Sequence, residues 1–150
     1  MKRIALYPGT FDPFTIGHMS IVERGLKLFD EVIIAIGVNG SKKNLTDIEQ
    51  RISHIEKITR NMPGVRVISY TNLTVEAAKE YDANFILRGV RTVADYEYER
   101  NLAYANRNLT GIETVLLYTL PELSYISSTM VKDLQSHGYD VSPYVPQERE

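Results

Sequence analysis

The chain has 150 residues, 43% hydrophobic and 24% charged, a globular balance with enough length for one domain and a real core. Seventeen Lys and Arg face nineteen Asp and Glu, a net charge of −2 that excludes a surface built to coat nucleic acid or anionic lipid. Cysteine is absent, which removes disulfides, thiolate zinc sites and cysteine nucleophiles, and no apolar run is long enough for a signal peptide or a membrane span, so a soluble, cytoplasmic protein is expected.

In chain order, short apolar, β-branched runs at 4–7, 32–38, 65–70, 84–87 and 114–118 read as five strands. Between them lie amphipathic stretches. Met19, Val22, Leu26 and Phe29 share one helical face, and Ile48, Ile52, Ile55 and Ile58 share the next, opened by the capping box Thr46-Asp47-Ile48-Glu49. A short helix is predicted over 75–81. A longer one follows, with Tyr98, Leu102, Ala105 and Leu109 as its apolar stripe and Gly111 just past its end. A fifth runs from about 127 to 138, and the proline-rich, charged stretch 140–150 reads as a loosely held tail.

Alternating strands and helices with continuously apolar strands predict a doubly wound, Rossmann-like α/β domain around a five-stranded parallel sheet. In such folds ligands bind beyond the carboxyl ends of the strands. The segment after the first strand, Tyr7-Pro8-Gly9-Thr10-Phe11-Asp12-Pro13-Phe14-Thr15-Ile16-Gly17-His18, is dense in turn formers and hydroxyls and ends in a histidine on a first helical turn. Thr15 and His18 share a face there, and Gly17 lets a ligand approach the backbone. The helix dipole favours an anion and a neutral imidazole that can still donate. An isolated histidine in this place is a helix-start residue; the Thr-x-Gly-His context makes it a phosphate-facing one.

Three further segments repeat the pattern. Asn39-Gly40-Ser41-Lys42-Lys43 follows the second strand, Arg88-Gly89-Val90-Arg91 the fourth, and Ser127-Ser128-Thr129 opens the last helix with hydroxyls and free N–H groups. Each alone is solvated surface or a helix cap; together they crowd one edge of the sheet. Neither a P-loop nor a Gly-x-Gly-x-x-Gly fingerprint is present, so phosphate is held in another way. His18, His54 and His137 are too far apart in sequence to suggest a metal cluster. The position of Glu99 fits either an exposed charge or a carboxylate facing the site.

Taken together, Tyr-Pro-Gly-Thr-Phe-Asp-Pro with Thr-x-Gly-His, Ser-Lys-Lys, Arg-Gly-Val-Arg, Asp-Tyr-Glu-Tyr-Glu and Ile-Ser-Ser-Thr resemble the bacterial phosphopantetheine adenylyltransferases, in register from about residue 3 to 146. The resemblance implies adenylyl transfer from ATP to 4′-phosphopantetheine. It assigns His18 a catalytic role. Thr10, Lys42, Thr74 and Arg88 would bind phosphopantetheine. ATP would meet Thr10, Phe11, His18, Gly89, Val90, Arg91, Glu99 and the stretch Leu123, Ser124, Tyr125, Ile126, Ser127, Ser128 and Thr129. It further implies magnesium carried by ATP, a homohexamer and feedback binding of coenzyme A. Leu123 stands where the family often has an aromatic, Thr129 replaces a common third serine and Asn44 a proline. The chain also stops short of many relatives, so contacts from a C-terminal helix are expected to be missing. An adenylyltransferase for another phosphorylated acceptor, such as nicotinamide mononucleotide, and a non-catalytic nucleotide sensor are the competing readings.

Overall fold

The computed structural model describes residues 1–38 and 45–148, with residues 45 and 46 described by their backbone alone. Val32, Ile33, Ile34, Ala35 and Ile36 are all fully buried, which a strand can achieve only when both faces of its sheet are covered. That strand, β2 (Glu31–Gly37), lies inside a parallel sheet with β1 (Ile4–Gly9), β3 (Val65–Tyr70), β4 (Phe85–Val90) and β5 (Glu113–Tyr118), in the order β3-β2-β1-β4-β5. Alternate residues feed two cores. Ala5, Tyr7, Val32, Ile34 and Ile36 pack with Met19, Ile21 and Val22 of α1 (Ile16–Gly25) and Ile48, Ile55 and Ile58 of α2 (Leu45–Ile58). Leu6, Ile33, Ala35 and Ile86 pack on the other face with Val75 and Ala78 of α3 (Thr74–Glu80). The remaining helices are α4 (Val93–Thr110) and α5 (Ser128–Ser136).

The doubly wound architecture agrees with the sequence reading; several boundaries and faces do not. β4 runs on to Val90, so Arg88, Gly89 and Val90 are strand residues rather than loop. α1 ends at Gly25, leaving Phe29 beyond it, where its ring meets Phe85 with centroids 5.4 Å apart. α2 already begins at Leu45, ahead of the start that a Thr46 cap would set. The largest departure is α4. Its stripe of Tyr98, Leu102, Ala105 and Leu109 is exposed, and Glu99 is its one buried residue. Gly111 caps that helix in the left-handed conformation, φ 79°, as its position past the stripe predicts. The expected tail touches the body through Tyr144 against Tyr125 and Glu148 against His54, 2.9 Å.

Candidate active site

The order β3-β2-β1-β4-β5 reverses direction between β1 and β4, and there the sheet opens. Their register covers Ala5–Phe85 and Leu6–Ile86 alone; beyond these pairs the strands part. Pro8, which brings no N–H to a ladder, stands past the point where pairing on that side stops. Two cavities meet at this split, of about 390 and 610 Å³, sharing a wall of Pro8, Gly9, Thr10, Arg88, Tyr98 and Glu99.

His18 sits in the first turn of α1, in the smaller cavity. Thr15 caps that turn: the His18 N–H donates to Thr15 Oγ1 at 3.3 Å, and the Thr15 N–H donates to His18 Nδ1 at 2.9 Å. An Nδ1 that accepts leaves the proton of the neutral ring on Nε2. Phe11, Phe14 and Tyr7 surround the imidazole, with centroids 5.0, 5.5 and 6.4 Å away. Burial, followed by the charges of Arg88 and Arg91, lowers the His18 pKa to about 4. The residue is therefore a fixed, neutral N–H donor at pH 7.

That shift fixes a stability signature. Between the folded pKa near 4 and the ordinary value of 6.5, the unfolded chain binds more protons, so stability rises with pH across this window. The contribution, at most about 3 kcal/mol, is whole above pH 6.5 and lost as pH falls toward 4. Denaturant unfolding between pH 4.5 and 7 should show a shallower slope in His18→Ala than in wild type. Equal slopes would contradict a neutral buried ring.

Arg88 reaches across the split. Its Nε donates to both Glu99 oxygens, at 2.9 and 2.7 Å, and its Nη1 donates to the Pro8 carbonyl. Burial opposes the charge, but the Glu99 carboxylate outweighs it and raises the Arg88 pKa. Among the described residues Nη2 has no hydrogen-bond partner, which leaves it as a donor for a ligand. Burial likewise raises the Tyr7 phenol, which excludes it as an acid or base near neutrality. Arg91 turns back on α4, where Asp95 accepts from its backbone N–H at 3.1 Å and pairs with Nε at 3.5 Å.

Of the residues singled out in the sequence, Thr10, Arg88 and Glu99 lie on the shared wall. Phe11, His18, Gly89, Arg91, Ile126, Ser127, Ser128 and Thr129 line the smaller cavity, and Thr74 the larger. Four line neither. Val90 points into the core, Ser124 donates to the Pro121 carbonyl in a turn, Tyr125 packs against Tyr144, and Leu123 lies in the short helical turn Pro121–Leu123. Lys42 lies outside the described residues. Glu99 holds Arg88 at the junction, and its carboxylate is already engaged there.

The sequence reading passed over Asp95 and Thr119 in the smaller cavity and Tyr70, Asn106 and Thr114 in the larger. Tyr98, Leu102 and Leu109, read as part of an apolar stripe, are cavity wall. Gly17 separates packing from binding. A Cβ there would meet Thr15 Oγ1 at 3.4 Å and the Ile126 carbonyl at 3.9 Å, ordinary contacts, so the fold does not require glycine. Gly17→Ala should keep or slightly raise the melting temperature, because alanine is favoured over glycine in a helix by about 1 kcal/mol. It should also weaken binding of the ATP that the resemblance assigns to this cavity, in calorimetric titration, since the methyl enters it. Unchanged affinity would place the ligand elsewhere.

Comparison with known proteins shows the family and the fold. A family model described as Cytidylyltransferase-like matches residues 6–134. The phosphopantetheine adenylyltransferase of Phocaeicola vulgatus is 52% identical over 145 residues, 97% of this chain and 96% of that protein. That of Bacteroides fragilis is 50% identical, over 96% of each chain. Among solved structures, a bifunctional NMN adenylyltransferase/ADP ribose pyrophosphatase from Francisella tularensis superposes with a TM-score of 0.73 at 16% identity. The match covers 97% of this chain but 45% of that one, and it shows a shared fold alone.

Proposed function

The chain belongs to the phosphopantetheine adenylyltransferases, within the cytidylyltransferase-like family, and from that premise we propose how it moves the adenylyl group of ATP onto the phosphate of 4′-phosphopantetheine, forming dephospho-coenzyme A and pyrophosphate. The observation that carries the reading is the meeting of two cavities at Thr10 and Arg88, with the donor His18 in one of them. ATP occupies the smaller cavity, its phosphates near His18, Arg91 and the N-terminus of α5. Phosphopantetheine lies in the larger one, its phosphate at Arg88 and Lys42. Its amide-bearing arm runs past Asn106 and Thr114, whose Oγ1 has no hydrogen-bond partner among the described residues.

The acceptor phosphate has a second pKa near 6, by analogy with phosphorylated side chains, and is mostly dianionic at pH 7. It needs no general base. The task is to hold two polyanions in line and stabilise charge that builds on the α-phosphoryl and the departing pyrophosphate. The His18 N–H and the arginines do so without accepting or releasing a proton.

Magnesium fits as a companion of the nucleotide. Among the described residues no group of three or more His, Cys, Asp or Glu could hold a metal ion, while a hard cation that keeps its waters binds through substrate phosphates and one carboxylate. Of the two carboxylates in the smaller cavity, Glu99 is buried against Arg88, while Asp95, paired with Arg91 at 3.5 Å, is the one that could meet it. Bound there, the cation would neutralise charge on the leaving pyrophosphate.

α4 exposes Tyr98, Leu102 and Leu109 on one face and Tyr96 and Tyr104 on another, too apolar a surface for a solitary helix, and this supports assembly through α4, as in the homohexamer the resemblance implies. Coenzyme A, which joins an adenine nucleotide to a pantetheine arm, would span both cavities, and this supports feedback binding. Among the described residues no helix is long and apolar enough to cross a membrane, which accords with work in the cytoplasm.

The test is pyrophosphate release from ATP and magnesium with phosphopantetheine, nicotinamide mononucleotide or no acceptor. Release with phosphopantetheine alone is expected. Release with nicotinamide mononucleotide instead would reassign the acceptor, and no release with either would leave a nucleotide sensor.

A further inference from the structure

The segment 10–15 carries Thr10 and leads into the cap of His18, yet it has no regular secondary structure of its own. Its shape depends on tethers from elsewhere. α5 supplies two: Ser128 Oγ donates to the Pro13 carbonyl at 2.8 Å, and Lys132 Nζ to Asp12 Oδ2 at 3.1 Å. α2 supplies another. Arg51 Nη1 donates to the Thr10 carbonyl at 3.0 Å, and Nη2 pairs with Asp12 Oδ2 at 3.5 Å. The tethers differ in solvation: the Arg51 side chain is 11% exposed and that of Lys132 58%. A shielded guanidinium fork on two points holds geometry better than a solvated ammonium on one.

We propose that Arg51 is a positioning residue for adenylyl transfer, fixing the Thr10–Asp12 turn so that Thr10 and the His18 donor stay aligned on the phosphates. It lines neither cavity, so it acts through the loop and not on the ligand. The role rests on the smaller cavity being the nucleotide site.

Loop misplacement of about 1 Å can cost about 10²-fold in rate while leaving binding nearly intact. Arg51→Ala should therefore lower kcat by roughly 30-fold or more, with the ATP KM changed less than about threefold, at a temperature where the variant remains folded. Guanidinium ion at millimolar concentration should restore much of that turnover saturably, and should do nothing for His18→Ala. Arg51→Lys keeps the charge and the fold but loses the fork, and should still lose about tenfold or more in kcat. Turnover near wild type in either variant, or a loss that guanidinium does not relieve, would overturn the role. If the wild-type protein transfers no adenylyl group, the underlying reading fails and takes the role with it; a normal wild type with unaffected variants removes the role alone.

Discussion

Replacing His18 with alanine is expected to lower kcat by about 10²-fold or more while shifting ATP affinity by less than about threefold. The asymmetry follows from what the ring does. Its Nδ1 accepts the Thr15 N–H and is unavailable to the ligand, while the proton on Nε2 forms its best bond when charge gathers on the transferring phosphate. In the proposed arrangement ground-state ATP is held by arginines and backbone N–H groups and loses little. His18→Asn separates this chemistry from folding. The amide oxygen can take over the Nδ1 acceptor position and keep the cap, but nothing replaces the Nε2 donor. Asparagine should thus preserve the melting temperature and still lose turnover; recovery of activity in that variant would show that the cap, not the donor, is what matters.

The second large effect is at Glu99. It is 3% exposed and the one buried residue of α4, and both of its oxygens accept from Arg88 Nε. Buried ion pairs are poor evidence of net stability, since desolvation offsets most of the attraction. Removing one partner is another matter, because it strands the other charge at a cost of about 3–5 kcal/mol when fully buried. Arg88 keeps a third of its side chain exposed, so about 2 kcal/mol is the expected loss in Glu99→Ala. The kinetic loss should be larger. Without its carboxylate, Arg88 can leave the junction where the two cavities meet, and kcat/KM for phosphopantetheine should fall by roughly 10²-fold or more. Glu99→Gln, which keeps the shape and one acceptor, should fall in between. Wild-type stability and kcat/KM in the alanine variant would contradict the bridging role of Arg88.

How much of this was legible in the sequence varies by residue. The apolar run 32–36 can hardly be anything except a strand covered on both faces, and it was read so. Thr15 and His18 announce their contact because capping is local chemistry, complete within four residues. Glu99 and Arg88 were both noticed, but not as a pair. Their bond joins a strand to a helix, and no periodicity carries that information. The stripe of α4 shows a related limit: spacing says that Tyr98, Leu102 and Leu109 share a face, not whether sheet, ligand or another chain covers it. Leu123 to Tyr125 were assigned to the nucleotide through resemblance, yet their place in a turn and against Tyr144 keeps them off the cavity wall. Arg51 carried no signal at all, because an arginine inside an amphipathic helix looks like solvated surface until the 10–15 segment folds over it.

The net charge of −2 also reads differently beside the structure. At the split between β1 and β4 the balance is repeated locally, Arg88 pairing with Glu99 and Arg91 with Asp95, so the charges are organised as held pairs rather than as an exposed cationic surface. A site of this kind suits small phosphorylated ligands better than a long polyanion.

The central claim is that His18 donates a hydrogen bond and never becomes a nucleophile, so that the acceptor phosphate displaces pyrophosphate in one step. The configuration at the α-phosphorus reports this directly, using ATP made chiral at that atom with a sulfur and an oxygen isotope. A single in-line displacement predicts inverted dephospho-coenzyme A. Retention would mean two displacements through an adenylylated side chain, and would contradict the account.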